Sequence, residues 1–186
     1  VGTVSWDGGS ARITDTKKTP SGIFVHQIDI DAGMLVKGQD VRLQIDVARR
    51  LMLRANHSAT HLLHEALRLV LGDHVAQKGS LVNPDRLRFD FSHQKAVSAD
   101  ELDQVQQIVN ERIRMNSDVT TRIMTPDAAI ELGALALFGE KYGDEVRVVQ
   151  MGGMAADNPD KAWSVELCGG THVERTGDIS LLKIIS

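Results

Sequence analysis

Cys168 is the only cysteine in the chain, and His172 follows it in Cys168-Gly169-Gly170-Thr171-His172. Far upstream, Asn56-His57-Ser58-Ala59-Thr60-His61-Leu62-Leu63-His64 carries a histidine pair, His57 and His61, at the same four-residue spacing. A lone cysteine forms no internal disulfide, which fits a reducing compartment and leaves the thiol for metal, catalysis or simple burial. Residues four apart on a helix have Cβ atoms about 5–6 Å apart, which suits two imidazoles closing on one ion at ~2.0–2.1 Å. Two glycines between Cys168 and His172 argue for a tight turn in which backbone approaches an ion closely. A thiolate with three imidazoles is a borderline-soft set that favours Zn²⁺ over Ca²⁺ or Mg²⁺. The plainer readings stand beside this one. A His-x3-His pair occurs often by chance, His61 and His64 form a rival pair at i, i+3, and Cys168 taken alone is a small buried hydrophobe. That last reading leaves the Gly-Gly-Thr-His sequel without a purpose.

The elements that must position these residues are partly legible. Residues 1–45 read as short strands around 22–25 and 41–45, separated by turns at Asp7-Gly8-Gly9, Thr19-Pro20-Ser21-Gly22 and Lys37-Gly38, a small antiparallel barrel or sandwich. Asp46 is a natural N-cap for a helix that runs to Leu71 and stops at Gly72, with a break near Asn56 allowed. On a wheel at about 100° per residue, Ala59, Leu62, Leu63, Ala66, Leu67, Leu69 and Val70 form an apolar arc. His57, His61 and His64 share the opposite face, away from that arc. An irregular stretch is expected over 75–84, then an alternating strand from Leu87 to Phe91. Ser98-Ala99-Asp100-Glu101 is a capping box for a helix ending near Met115. Further strands are expected over 119–124, 146–150, 164–167 and 179–185, with a short helix starting at Pro126. The expected class is α+β: a small barrel-like subdomain over 1–45, then an α+β domain over 46–186. The opening at a strand-like Val1 without methionine is expected of a piece of a longer chain.

Composition narrows the classes. The chain has 186 residues, 42% hydrophobic and 25% charged, ordinary for a globular protein with a substantial core. No apolar run approaches the ~20 residues of a membrane helix, and no signal-peptide pattern opens the sequence, so no membrane partner and a cytoplasmic location are expected. Without that signal the sequon Asn56-His57-Ser58 is read as chance. A net charge of −4 argues against wrapping nucleic acid over the whole surface, although Arg49, Arg50, Arg54, Arg86, Arg88, Arg112, Arg114 and Arg122 fall in clusters. No phosphate loop, dinucleotide fingerprint, Gly-x-Ser-x-Gly elbow or His-Glu-x-x-His is present. His26, His74 and His93 sit in unrelated contexts.

Several ordered blocks resemble a known family. They are Asn56–His64, Gln77-Lys78-Gly79-Ser80-Leu81-Val82, Arg88-Phe89-Asp90-Phe91-Ser92, Leu137-Phe138-Gly139-Glu140-Lys141-Tyr142, Glu166-Leu167-Cys168-Gly169-Gly170-Thr171-His172 and Arg175-Thr176-Gly177-Asp178-Ile179. In this order they resemble the editing domain of bacterial alanyl-tRNA synthetase from about Asp46 onward, with 1–45 similar to the small β-barrel that precedes it. Free-standing alanyl-tRNA editing proteins and the threonyl-tRNA synthetase editing domain share the two ligand pairs more loosely. The resemblance implies a hydrolase that cleaves seryl- or glycyl-tRNA-Ala, with Zn²⁺ held by His57, His61, Cys168 and His172 and His64 left as a neighbour.

The implied partners are the tRNA-Ala acceptor end carrying a wrong amino acid and the remainder of the synthetase. By the same resemblance Thr60 and Ser80 line the substrate pocket and Gln77 orients the attacking water. The family also carries a Gly-Gly-Gln segment ahead of its barrel strands. Gly8-Gly9 is followed by Ser10 and is not that segment, which is expected upstream; 152–162 looks expanded against the family pattern. Two alternatives remain: a structural zinc module that binds the acceptor end without hydrolysis, and a zinc peptidase or amidase, for which Glu65 lies about 80° from His57 on the wheel.

Overall fold

The structure is a computed structural model and describes residues 1–135, 143–154 and 162–185. The block Leu137–Tyr142 and most of the 152–162 segment lie outside the described residues. The chain divides into two compact units, Val1–Arg50 and Leu51–Ser186.

In the first unit, β1 (Gly2–Trp6), β2 (Gly9–Lys18), β3 (Phe24–Ala32) and β4 (Arg42–Ile45) form an antiparallel sheet in the order β3-β2-β1-β4. The pairing is linear, so what the structure shows of the expected barrel is its antiparallel sheet. Val4, Trp6, Ala11 and Ile13 alternate with exposed neighbours and form a small core on one face. Gly8, at φ +79° in the two-residue turn between β1 and β2, adopts a backbone region that glycine enters without strain.

Helix α1 (Val47–Leu71) starts where expected, with Asp46 Oδ1 accepting from the Arg49 amide at 2.9 Å. It runs unbroken through Asn56 and ends at Gly72, whose φ of +113° suits a left-handed stop. In the second unit its apolar arc packs on α2 (Ala99–Arg114), through Val105, Val109 and Ile113, and on Val149, Met151 and Trp163. Those last residues belong to an antiparallel sheet in the order β7-β8-β9, built from β7 (Thr120–Met124), β8 (Val146–Met154) and β9 (Ala162–Leu167). A short helix, α3 (Pro126–Glu131), links β7 to the stretch before β8. The Ser98–Glu101 capping box is present at the start of α2. Among the described residues no helix is long and apolar enough to cross a membrane.

Two expectations are corrected. The stretch 75–84 is not irregular: it contains β5 (Gln77–Val82), paired antiparallel with β6 (Leu87–Phe91). The register shifts between Gln77 and Gly79, and that bulge breaks the alternation that would have marked a strand. The segment 179–185 is not a strand. A 3₁₀ turn covers Thr176–Ile179, and the chain beyond it is held by α2 side chains. Asn110 Oδ1 accepts from the Leu182 amide and Asn110 Nδ2 donates to the Leu182 carbonyl, both at 2.9 Å, while Gln106 Oε1 takes the Ile184 amide. Side chains thus satisfy backbone groups that a neighbouring strand would otherwise pair. Asn110→Ala should leave both Leu182 groups without partners and lower stability by about 1–3 kcal/mol, read as a shift in the urea unfolding midpoint.

Candidate metal centre

Helical spacing sets His57, Ser58, His61 and His64 along one side of α1. The opposing group comes from the end of β9: Glu166 lies within the strand, Cys168 one residue beyond it, and the turn continues to His172. Strand alternation directs Glu166 and Cys168 to the same side. The donor atoms of His57, His61, Cys168 and His172 all lie within 4.8 Å of one another. Cys168 Sγ is 3.5 Å from His57 Nε2 and 3.3 Å from His172 Nε2, and it accepts from the Gly170 amide at 3.4 Å. Of the two histidine spacings the sequence left open, the structure closes the i, i+4 pair on the cysteine.

His172 and His61 are backed by further side chains. His172 Nδ1 lies 3.2 Å from the buried Ser58 hydroxyl, which also accepts from the Val173 amide. His61 Nδ1 is 3.0 Å from Glu166 Oε2, an ion-pair contact whose angle falls outside hydrogen-bond geometry. His64 Nδ1 meets the other oxygen, Oε1, also at 3.0 Å, so His64 stands behind the cluster. Arg147 on β8 donates to the carbonyls of Cys168 and Gly170 at 2.8 and 2.7 Å and fixes the turn. A Cβ on Gly170 would lie 2.0 Å from His57 Cε1, whereas one on Gly169 would meet nothing. Only the second glycine is sterically required, because the His57 ring packs against it.

The electrostatics match a cation site. Burial pushes the Cys168 thiol up, but contacts with His172, His57 and His61 outweigh it and bring the pKa to about 3. Burial lowers the His61 pKa, yet Glu166 and Cys168 together outweigh that and raise it to about 10. Burial alone would raise the Glu166 carboxyl; His61 and His64 together hold it at about 2. His172 is lowered, chiefly by burial. A preformed thiolate, three converging imidazoles and a cradle that excludes a Cβ fit a thiophilic divalent ion.

The remaining expected site residues lie on two elements, Thr60 on α1 and Gln77 and Ser80 on β5. Thr60 is buried and donates to the Asn56 carbonyl at 2.8 Å, which leaves its oxygen lone pairs available. Gln77 Nε2 donates to Ser80 Oγ at 3.2 Å. Cross-strand partners share a face, so Ser80 opposite Phe89 and Gln77 opposite Phe91 lie on the face of the two stacked phenyl rings. Phe89 in turn contacts the His64 ring, centroids 5.2 Å apart. A cavity of about 400 Å³ lined by Leu63, Leu67, Phe89, Phe91 and Leu182 includes none of the four donors, nor Thr60, Gln77 or Ser80, and is a separate feature. Glu65 is paired with Arg68 at 3.9 Å; the carboxylate that meets the donor cluster is Glu166. Sequence reasoning did not single out Ser58, Glu166 or Arg147. Glu166 alone carried a signal, a carboxylate two residues before Cys168 on an alternating strand.

Residues 146–186, which include β8, β9 and the Cys168 turn, match the threonyl and alanyl tRNA synthetase second additional domain. The chain is also 58% identical over 187 residues to an alanine–tRNA ligase of Mesorhizobium japonicum, and 58% identical over 189 residues to one of Paracoccus denitrificans. Each match covers 100% of this chain and 21% of the relative. Along its whole length the chain matches a segment of alanine–tRNA ligases. It spans about a fifth of the length of these synthetases, and within that span the matched domain supplies Cys168, His172, Glu166 and Arg147, while α1 supplies the other two donors.

Two results are expected of this chain. Gly170→Ala should displace the His57 ring and abolish stoichiometric metal binding, measured by metal analysis after dialysis, while circular dichroism stays unchanged. In the metal-free chain, Cys168 should be alkylated by iodoacetamide at a rate that holds level from pH 8 down to pH 5. Its lowered pKa keeps the thiolate present throughout that window, whereas an ordinary thiol would lose reactivity steadily below ~8.5.

Proposed function

We propose that this segment is the editing hydrolase of an alanyl-tRNA synthetase, cleaving the ester between serine or glycine and the 3′ adenosine of tRNA-Ala. The observation that carries this reading is the four-donor cluster, set in a chain that resembles alanine–tRNA ligases along its whole length. His57, His61, Cys168 and His172 hold zinc, and when bound the ion supplies Lewis-acid polarisation of the ester. A synthetic pocket made for alanine rejects an analogue that only adds a hydroxyl by roughly 10². A second site that hydrogen-bonds the hydroxyl discriminates in the other direction, by up to ~10⁴–10⁵ against the substrate lacking it.

This chain's own residues fit those roles. The Thr60 hydroxyl already donates to Asn56, so toward a substrate it acts as an acceptor for the serine O–H. Gln77 donates through Nε2 to Ser80, which leaves Oε1 to hold and orient a water. The Ser80 hydroxyl proton remains available to a substrate oxygen. Water attacks the ester carbonyl carbon, the bond from that carbon to the ribose oxygen breaks, and the ribose oxygen takes up a proton. With Cys168 committed to the metal, no acyl-enzyme forms. The partners are the tRNA acceptor end and the rest of the synthetase, and the setting is the cytoplasm.

One feature favours a second reading. Four protein donors complete a tetrahedron, and closed sites are usually structural; a module that binds the acceptor end without hydrolysis has the same cluster. The two readings separate when the zinc-loaded chain is incubated with seryl-, glycyl- and alanyl-tRNA-Ala and amino acid release is followed. Editing predicts release of serine, whose hydroxyl the site reads, with alanine retained; binding without release of any amino acid supports the structural module. Gln77→Ala should lower turnover by about 10²-fold with zinc content unchanged, and full activity in that variant would remove Gln77 from the mechanism.

A further inference from the structure

Glu166 lies between two helical histidines and touches both. Its side chain is about 10% exposed, and its two oxygens are divided, Oε2 to His61 Nδ1 and Oε1 to His64 Nδ1. His61 has two ring nitrogens and only one can face the donor cluster. With Nδ1 turned to the carboxylate in an ion-pair contact of 3.0 Å, Nε2 is the nitrogen left for an ion. A carboxylate free to rotate would fix that choice poorly, because either oxygen could swing away. His64 removes this freedom by holding Oε1. The cost of keeping His64 there is visible: its other nitrogen, Nε2, is buried without a hydrogen-bond partner among the described residues. An unsatisfied buried nitrogen calls for an explanation, and the contact that the other nitrogen makes with Oε1 supplies one.

We propose that Glu166 is a positioning residue for the metal, fixing His61 in the tautomer that presents Nε2, and that His64 is the brace which locks the Glu166 carboxylate. The assignment rests on the reading of the four-donor cluster as a metal site. It gives His64 a role other than ligation and accounts for why the helix carries three histidines where two bind. It also sets a limit on substitution: Glu166 acts through its charge and its two-point geometry, so an amide of the same shape satisfies only part of the role. Partners of this kind typically tune metal affinity by 10–100-fold.

The test uses the 186-residue chain, with Zn²⁺ affinity measured by competition with a chromophoric chelator and Co²⁺ absorption as a reporter of tetrahedral thiolate coordination. Glu166→Gln, which keeps the volume, should weaken Zn²⁺ binding by about 10–100-fold and shift the Co²⁺ bands, with the melting temperature of the metal-free chain little changed. His64→Leu should weaken binding near the lower end of that range. His64→Asn places an amide N–H close to where Nδ1 stood and should restore wild-type affinity, a rescue that simple packing would not give. Should Glu166→Gln fail to fold, the His64→Leu and His64→Asn pair decides alone. Wild-type affinity and unchanged Co²⁺ spectra in Glu166→Gln and His64→Leu would overturn the positioning role while leaving the metal site intact. Failure of the wild-type chain to bind one equivalent of metal would overturn the metal reading itself, and this assignment with it.

Discussion

The middle of α1 is buried on every side, and the rest of the second unit is arranged to satisfy that condition. From Ser58 to His64 each residue is buried, polar and apolar alike. Apolar surface is satisfied by contact alone, and the arc from Ala59 to Leu67 finds it on α2 and the β7-β8-β9 sheet. The polar arc is more demanding, because a buried hydroxyl or imidazole without partners costs about 1–3 kcal/mol. Ser58 meets His172 and the Val173 amide, Thr60 bonds its own helix, and His61 and His64 meet Glu166. These contacts dictate where the end of β9 and the turn after it must lie. The donor cluster is the outcome of packing a polar helix face against a sheet end that carries the complementary groups.

The same condition explains what the sequence disclosed and what it withheld. Helix α1 was legible because Asp46 and Gly72 punctuate it and its apolar arc has helical period. The wheel also separated the histidines from that arc, but it read their face as lying outside the core. A wheel registers one apolar stripe and is blind to a second packed neighbour whose contacts are polar. Strand β5 was missed because the bulge at Lys78 and the small Gly79 erase its alternation. The segment after Ile179 was read as a strand from apolar residues at Ile179, Leu182 and Ile184, yet its backbone is held by Asn110 and Gln106. Side-chain pairing to backbone across such a separation leaves no periodic trace.

At the site, the candidate ligand types and their four-residue spacing were readable, although each pair taken alone has commoner readings. Which two of the three helical histidines converge on Cys168 was not, because i, i+3 and i, i+4 pairs are equivalent on a bare helix. The deciding factor is Glu166, which occupies the His64 side of the arc. The glycines show a similar division. Both suggested a tight turn, but Gly170 is required by the His57 ring and Gly169 by no steric neighbour at all. Arg147, which grips the turn by two carbonyls, sits on an adjacent strand where nothing in its sequence context marks it.

The two parts of the proposed chemistry have different carriers. The donors are divided between a long helix and a turn braced by Arg147, whereas Gln77 and Ser80 lie on the β5–β6 hairpin. The hairpin is tied to α1 at its turn, where Asn56 donates to the Asn83 and Pro84 carbonyls. It is tied again at its aromatic face, where Phe89 meets His64. His64 touches Glu166, and Glu166 touches His61. A line of direct contacts therefore runs from Phe89 on β6, the strand paired with the one bearing Gln77, through His64 and Glu166 to His61. A displacement of Phe89 would reach His61 through three contacts, so the hairpin and the donor cluster are held in register by way of His64, the helical histidine outside the donor cluster.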